Sequence, residues 1–242
     1  MMNKIFLMFF LLTSIVFSYG QKDSTFQSRK KTLFKKSIVP LSLIGTGILL
    51  SDSGFEKSFN TTTRNWVGND YETSLDDYTR YVPVATLYIA DLAGVKAENH
   101  WFDQTKNLAI SMILTDVFTR AIKKNVFKNR PDGSNDNAFP SGHTSITFAS
   151  GSVVYEEFKN SNSLLAYSGY GFATVTGGLR MANNKHWFSD VLVGAGLGIM
   201  VTKLVYHFDY LFKWNPFIKA KDMSLVPRYS DGNVGLYFSK TF

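Results

Sequence analysis

The chain has 242 residues, with 26 Lys and Arg against 19 Asp and Glu, a formal net charge of +7 and a mean hydropathy of −0.06. That length is enough for one domain with a substantial core, and nothing in the composition marks a second. With no cysteine, disulfides and lipoprotein-type attachment at the N-terminus are excluded, and the hydropathy is low for a protein of six membrane spans.

Residues 1–20 have the outline of a secretory signal peptide: Lys4, an apolar run from Ile5 to Phe17, and a small-residue end at Ser18, Tyr19 and Gly20. The run is short of the ~20 residues that a spanning helix needs, so the expectation is export to the periplasm or cell envelope. Residues 21–36 are polar and basic and read as loosely ordered. Ser37 to Leu50 predicts a first helix. Ser51 to Tyr78 is rich in Ser, Thr, Asn, Asp and Gly, and reads as a long loop with short helical pieces, a candidate cover for a site. Helices follow at Tyr81 to Ala93, Trp101 to Lys124, Thr144 to Phe158, Leu164 to Gly178 and His186 to Phe208. Several carry apolar residues on more than one face, so the fold class is all-α, a bundle of about six core helices over residues 37–222. None of the uncharged runs is a clean membrane span by length and apolarity together.

Gly194, Gly196 and Gly198 are spaced like a nucleotide-binding triplet, but no strand precedes them. Close helix packing through Gly194 and Gly198 is the reading they support. Residues 223–242 differ in kind. Ser224 to Arg228 and Val234 to Ser239 favour strand formers around the turn Ser230-Asp231-Gly232-Asn233, which admits a small C-terminal β-hairpin as a packing appendage.

Between Lys123 and Asp190 lie three stretches with reactive side chains: K-x6-R-P (Lys123, Arg130, Pro131), P-S-G-H (Pro140 to His143) and R-x5-H-x3-D (Arg180, His186, Asp190). A phosphate ester is strongly anionic, and three cations can neutralise it. Ser141 and Gly142 follow a proline and open a helix, which aims backbone N–H groups at an anion. Asp190, four residues after His186, falls on the same helical face and can hold one ring nitrogen as N–H, leaving the other to attack phosphorus. His143 is placed to protonate the departing alkoxide and then to activate water. Each stretch alone has a plainer reading. The basic run Lys123, Lys124, Lys128, Arg130 can be the solvated end of a helix stopped by Pro131, P-S-G-H can be a capped turn, and His186 with Asp190 can be a satisfied pair or half of a metal site. Their joint occurrence favours phosphoryl transfer. No H-E-x-x-H or clustered Cys/His pattern is present, so no metal is expected.

The three stretches resemble the signature motifs of the type 2 phosphatidic acid phosphatase superfamily, which also contains bacterial class A acid phosphatases and vanadium haloperoxidases. The similarity extends from about Asp76 to Tyr206 and is greatest to exported members from Bacteroidetes-type bacteria. It implies a helical bundle, a metal-independent and cofactor-free mechanism, and phosphorylated lipids or small phosphate esters as substrates. In that pattern His186, His143 and Asp190 are catalytic, and Lys123, Arg130, Ser141, Gly142 and Arg180 bind the phosphate. One departure is Leu179, where many members have Ser; it costs a hydroxyl contact and no catalytic group. Two other classes stay open, a haloperoxidase holding vanadate on His186 and a non-catalytic envelope protein that binds an anionic lipid. No nucleic-acid partner is expected and no protein partner is legible. The positive charge and 15% aromatic content are compatible with contact at an anionic membrane surface.

Overall fold

The computed structural model describes residues 24–212, 214–217, 223–230 and 233–240, with side chains described for 33–212 and 214–217. The predicted signal segment, residues 1–20, lies outside the described residues. The chain divides into two compact units, residues 1–36 and Ser37–Phe242. Among the described residues there are eight α-helices: α1 (Ser24–Leu50), α2 (Gly54–Val67), α3 (Leu75–Thr79), α4 (Val82–Leu92), α5 (Trp101–Lys123), α6 (Gly142–Phe158), α7 (Ser163–Ala182) and α8 (Phe188–His207).

Two helical boundaries correct the sequence reading. Residues 24–36, expected to be loosely ordered, are helical and continuous with Ser37–Leu50. Lysine, arginine, leucine and phenylalanine there are adequate helix formers, and no glycine or proline interrupts them before Pro40. The expected loop at Ser51 to Tyr78 contains a fourteen-residue helix, α2. Its start is encoded by an S-x-x-E cap: Ser53 Oγ accepts from the Glu56 N–H at 3.2 Å, and Glu56 Oε2 accepts from the Asp52 N–H at 2.8 Å. The threonine and asparagine run beyond the cap lowers propensity enough to read as loop.

Other ends follow ordinary capping. Asn162 Oδ1 accepts from the Leu165 N–H to open α7 at 3.0 Å, and Gly94, with φ of 74°, follows the end of α4. One core cluster joins Leu87 and Ala90 of α4, Leu108 of α5, Val153, Val154 and Phe158 of α6, and Ala166 of α7. A second joins Leu197, Val201 and Val205 of α8 to Ile110, Phe118 and Ile122 of α5. The bundle is therefore built around α6, which packs against α5, α7 and α8.

The burial of α6 is unusual because its sequence is rich in Ser and Thr. The hydroxyls stay satisfied by bonding one turn back: Thr147 Oγ1 to the His143 carbonyl at 2.8 Å, and Ser152 Oγ to the Phe148 carbonyl at 2.7 Å. Small residues then let the neighbours come close. A Cβ at Gly151 would meet the Gly169 carbonyl oxygen at 2.6 Å, and one at Gly198 would collide with the Ser145 carbonyl oxygen and the Ala149 nitrogen. Gly194 sits equally close to Ser141 and Ser145, so the glycines of α8 serve helix packing as read from the sequence.

Leu33–Leu50 of α1 and all of α8 are long and apolar enough to cross a membrane, although the uncharged runs within them are shorter. The difference is that Lys35 and Lys36 in α1, and Asp190 and Lys203 in α8, are tolerated inside these helices. Most of α8 is buried inside the bundle, whereas Ile38, Val39, Ile48 and Leu49 of α1 are exposed. In the tail, β1 (Met223–Ser230) and β2 (Asn233–Lys240) pair antiparallel, with Ser230 opposite Asn233.

The Gly198 contacts make a direct prediction. Gly198→Val should destabilise the fold by on the order of 3 kcal/mol through overpacking against the α6 backbone, visible as a lower denaturant midpoint with an unchanged m-value.

Candidate active site

The three stretches are separate in sequence and stitched together by backbone hydrogen bonds. Ser141 N–H donates to the Asp190 carbonyl at 3.0 Å, joining the second stretch to the third. Asp132 N–H donates to the Asn184 carbonyl at 3.1 Å, and the Trp187 indole N–H donates to the Asn129 carbonyl at 2.7 Å, joining the first to the third. Lys185 and Asp132 add an ion pair at 2.9 Å. Lys123 ends α5, and its Nζ donates to the Asn137 carbonyl at 2.6 Å. Its Cε also lies against Gly142, where an added Cβ would sit 4.0 Å away.

The histidine and aspartate of the third stretch are together, but not on one helical face as expected. The helix starts only at Phe188 with Trp187 as its cap, so His186 precedes it and Asp190 is in its first turn. Asp190 Oδ2 accepts the Trp187 N–H at 2.8 Å and stands 3.6 Å from His186 Nδ1. The turn geometry, not the i, i+4 spacing, brings them close. Nδ1 has no other partner. His186 is 2% exposed, and burial lowers its pKa to about 4 although Asp190 pulls the other way. The ring is therefore neutral at neutral pH, the state in which a nitrogen lone pair can attack. Asp190 is held below the ordinary carboxylate value: burial opposes ionisation, and His186 and the Lys128 ammonium outweigh it.

Ser141 ties two of the stretches together. It is fully buried, its N–H is used on Asp190, and its Oγ accepts from Thr144 Oγ1 at 2.8 Å. It locks the second stretch to the third through that N–H. Gly142, the first residue of α6, keeps the unpaired N–H of a helix start.

Three cations crowd the same volume. Lys123 is lowered to about 8, first by burial and then by the charges of Arg130 and Arg180. Arg130 is lowered by burial and by Arg180, and Arg180 with Lys123 presses on His186. Arg180 also acts on His143, whose pKa is lowered by burial against the raising effect of Asp77. Both guanidiniums keep an unpaired buried donor, Arg130 Nε and Arg180 Nε. Like charges gathered with free donors in a low dielectric make a site for an oxyanion.

Sequence reasoning missed the residues that support this set. Arg180 Nη1 donates to Asp76 Oδ2 at 2.5 Å, and Asn183 Nδ2 donates to Asp76 Oδ1 at 2.9 Å. His143 Nε2 lies 2.9 Å from Asp77 Oδ1 and 3.2 Å from Arg80 Nη1. Asp76 and Asp77 come from α3, in the segment expected to cover a site; Arg80 follows that helix and Asn183 follows α7. No motif marks them. Lys128, readable as a solvated residue, is instead buried and bonded to Glu56, Ser189 and Asp190; the S-x-x-E cap is the one sequence signal that points toward Glu56.

Asp76, Asp77 and His143 bring possible metal-ligating atoms within 4.8 Å of one another. Asp76 is already paired with Arg180, and Arg80 stands against His143. Two guanidiniums at such a group repel a divalent cation, so it is a poor metal centre.

Residues 104–214, which contain all three stretches, match the PAP2 superfamily model. A 145-residue segment, 59% of this chain, is 33% identical to the lipid A 1-phosphatase of Porphyromonas gingivalis; it spans 33% of that protein, so the chain covers about a third of the curated relative it matches. Among solved structures the chain is similar to Aquifex aeolicus LpxE (TM-score 0.46, 19% identity, 62% of this chain and 94% of that one). It is also similar to a transmembrane PAP2-type phosphatidylglycerolphosphate phosphatase from Bacillus subtilis (TM-score 0.48, 17% identity, 72% and 98%).

The Lys123 value gives a pH dependence. Its ammonium is present below about pH 8 and lost as pH rises through it, so the anion affinity it supplies is lost in that direction. Sulfate, whose own charge is constant across the range, should bind to the protein more weakly at pH 9 than at pH 7 by calorimetry, and Lys123→Met should abolish that difference.

Proposed function

We propose that this chain, which belongs to the PAP2 superfamily, is a phosphatase that hydrolyses phosphate esters without a metal, through a phosphohistidine. The observation that carries the reading is a neutral buried His186 beside two unpaired guanidinium donors, Arg130 Nε and Arg180 Nε. A phosphoryl group satisfies those donors and relieves the repulsion among Lys123, Arg130 and Arg180. The Gly142 N–H, at the positive end of α6, supplies a backbone donor.

In this scheme His186 Nε2 attacks phosphorus while Asp190 faces Nδ1–H and stabilises the cation that forms. The bond from phosphorus to the ester oxygen breaks, and His143 gives that oxygen a proton, an acid contribution of roughly 10² to 10⁴ in rate. Asp77 favours the protonated imidazole that this step needs. Water then attacks the phosphohistidine with His143 as base, the P–N bond breaks, and inorganic phosphate leaves with His186 neutral again.

Phosphorylated lipids are the substrate class. The similarity to the Porphyromonas lipid A 1-phosphatase supports it, as do the exposed apolar side chains Ile38, Val39, Ile48 and Leu49, which suit contact with a membrane. Export through residues 1–20 places the enzyme in the periplasm or envelope, where such lipids are reached.

Release of inorganic phosphate across a panel of lipid and soluble monoesters and diphosphates tests the reading. Turnover should persist in EDTA and be greatest on a lipid phosphate. His186→Ala should lower turnover by at least ~10³ while the melting curve still shows a folded protein; near-normal hydrolysis by that variant would count against the mechanism.

A further inference from the structure

Behind His186 lies a buried chain of charges that extends beyond the His186–Asp190 pair. Lys128 is 6% exposed, Glu56 1% and Asp190 0%. Lys128 Nζ reaches both Glu56 oxygens at 2.9 and 3.0 Å, Ser189 Oγ at 2.7 Å and Asp190 Oδ1 at 3.0 Å. Ser189 donates to Glu56 Oε1 through its N–H at 3.2 Å and through its hydroxyl. The set is assembled from α2, the strand-like stretch before Arg130, and the first turn of α8.

Two features point past mere stability. Burying an ion pair is costly, and an apolar pair of the same volume often serves a core as well or better. Moreover the bonds are distributed oxygen by oxygen. Lys128 takes Asp190 Oδ1, and the Trp187 N–H takes Oδ2, the oxygen that faces His186 Nδ1. A carboxylate is free to turn about its last torsion; with both oxygens held it cannot. Glu56 then cancels the charge of Lys128, so the three groups together carry the single negative charge that Asp190 would carry alone.

We propose that Lys128 and Glu56 are positioning residues for the nucleophile: Lys128 orients the Asp190 carboxylate so that His186 stays in the Nδ1–H tautomer with Nε2 free, and Glu56 keeps the local charge in balance. This rests on the phosphatase reading above. Neither residue belongs to the three motif patterns. The effect runs through Asp190, as supporting bonds do for ligands and bases elsewhere.

The test uses Glu56→Gln and the double variant Glu56→Gln/Lys128→Met, since Lys128→Met alone strands a buried carboxylate. Glu56→Gln leaves the Lys128 charge unbalanced beside Asp190, which favours deprotonation of Asp190 and His186. The acid limb of the kcat profile should move to lower pH. The double variant removes that charge, and relative to Glu56→Gln its acid limb should move to higher pH, with kcat below the wild type by about 10- to 100-fold and KM little changed. Ring ¹⁵N shifts of His186 should report Nδ1–H in the wild type and a tautomer mixture in the folded double variant. Superimposable pH profiles for the three proteins, or an Nε2–H tautomer in the wild type, would overturn the proposal. The wild-type tautomer and the Glu56→Gln profile decide it if the double variant does not fold. A wild type inactive on every ester would instead sink the phosphatase reading and leave the tautomer measurement standing.

Discussion

The starts of α6 and α8 approach until their backbones share a hydrogen bond, from the Ser141 N–H to the Asp190 carbonyl, and the site depends on that approach. Helices that face each other with ordinary side chains keep their axes about 8–10 Å apart. Here Gly194 and Gly198 remove the spacer on one side, and the Ser141, Ser145 and Ala149 backbone fills the space. The result places the helix start that carries His143 against the turn that carries His186 and Asp190. It also explains why a helix as polar as α6 is buried: small hydroxyl side chains that bond to their own backbone are compatible with close packing, whereas bulky apolar ones are not.

Charge is distributed on a different principle from packing. Cations outside the three motifs are matched with carboxylates, as in Lys128 with Glu56 and Asp190, and Lys185 with Asp132. Cations at the reacting centre are held more loosely. Lys123 is tied to a carbonyl oxygen, Arg180 spends one nitrogen on Asp76, and Arg130 and Arg180 each keep a buried donor in reserve. The surplus positive charge is thus concentrated where a phosphoryl group would lie. Burial first, and then the same crowding, pushes Lys123 down and keeps His186 neutral. Asp77, by contrast, is largely exposed at His143.

Much of this was readable in advance. The five helices from Tyr81 to Phe208 were expected within a few residues of where they lie, because their apolar periodicity is long and their caps are ordinary. The first helix and α2 were misjudged for opposite reasons. Basic residues disguised a helical segment before Ser37, and Thr and Asn disguised one after Gly54, although the Ser53 and Glu56 cap marked its start. At the candidate site, the sequence reading named the charged and imidazole side chains of the three motifs. Their supports were not named, because Asp76, Asp77 and Arg80 are 63 or more residues from the motif groups they touch, Glu56 is 72 residues from Lys128, and no local pattern links such pairs.

The sequence alone supplied residue types that can neutralise a phosphoryl group, attack it and protonate its leaving oxygen, at a specific spacing between Lys123 and Asp190. It determined the helical class for the same local reason, a period set by backbone geometry. What the tertiary structure decided is which atoms of these side chains are bonded to their neighbours and which are left free. The Ser141 N–H is consumed by Asp190, and His186 lies outside its helix. Lys128 is buried at the carboxylate, and α3 brings its acidic pair to Arg180 and His143. Those outcomes depend on contacts between distant segments and on desolvation, and both exist only once the chain has packed.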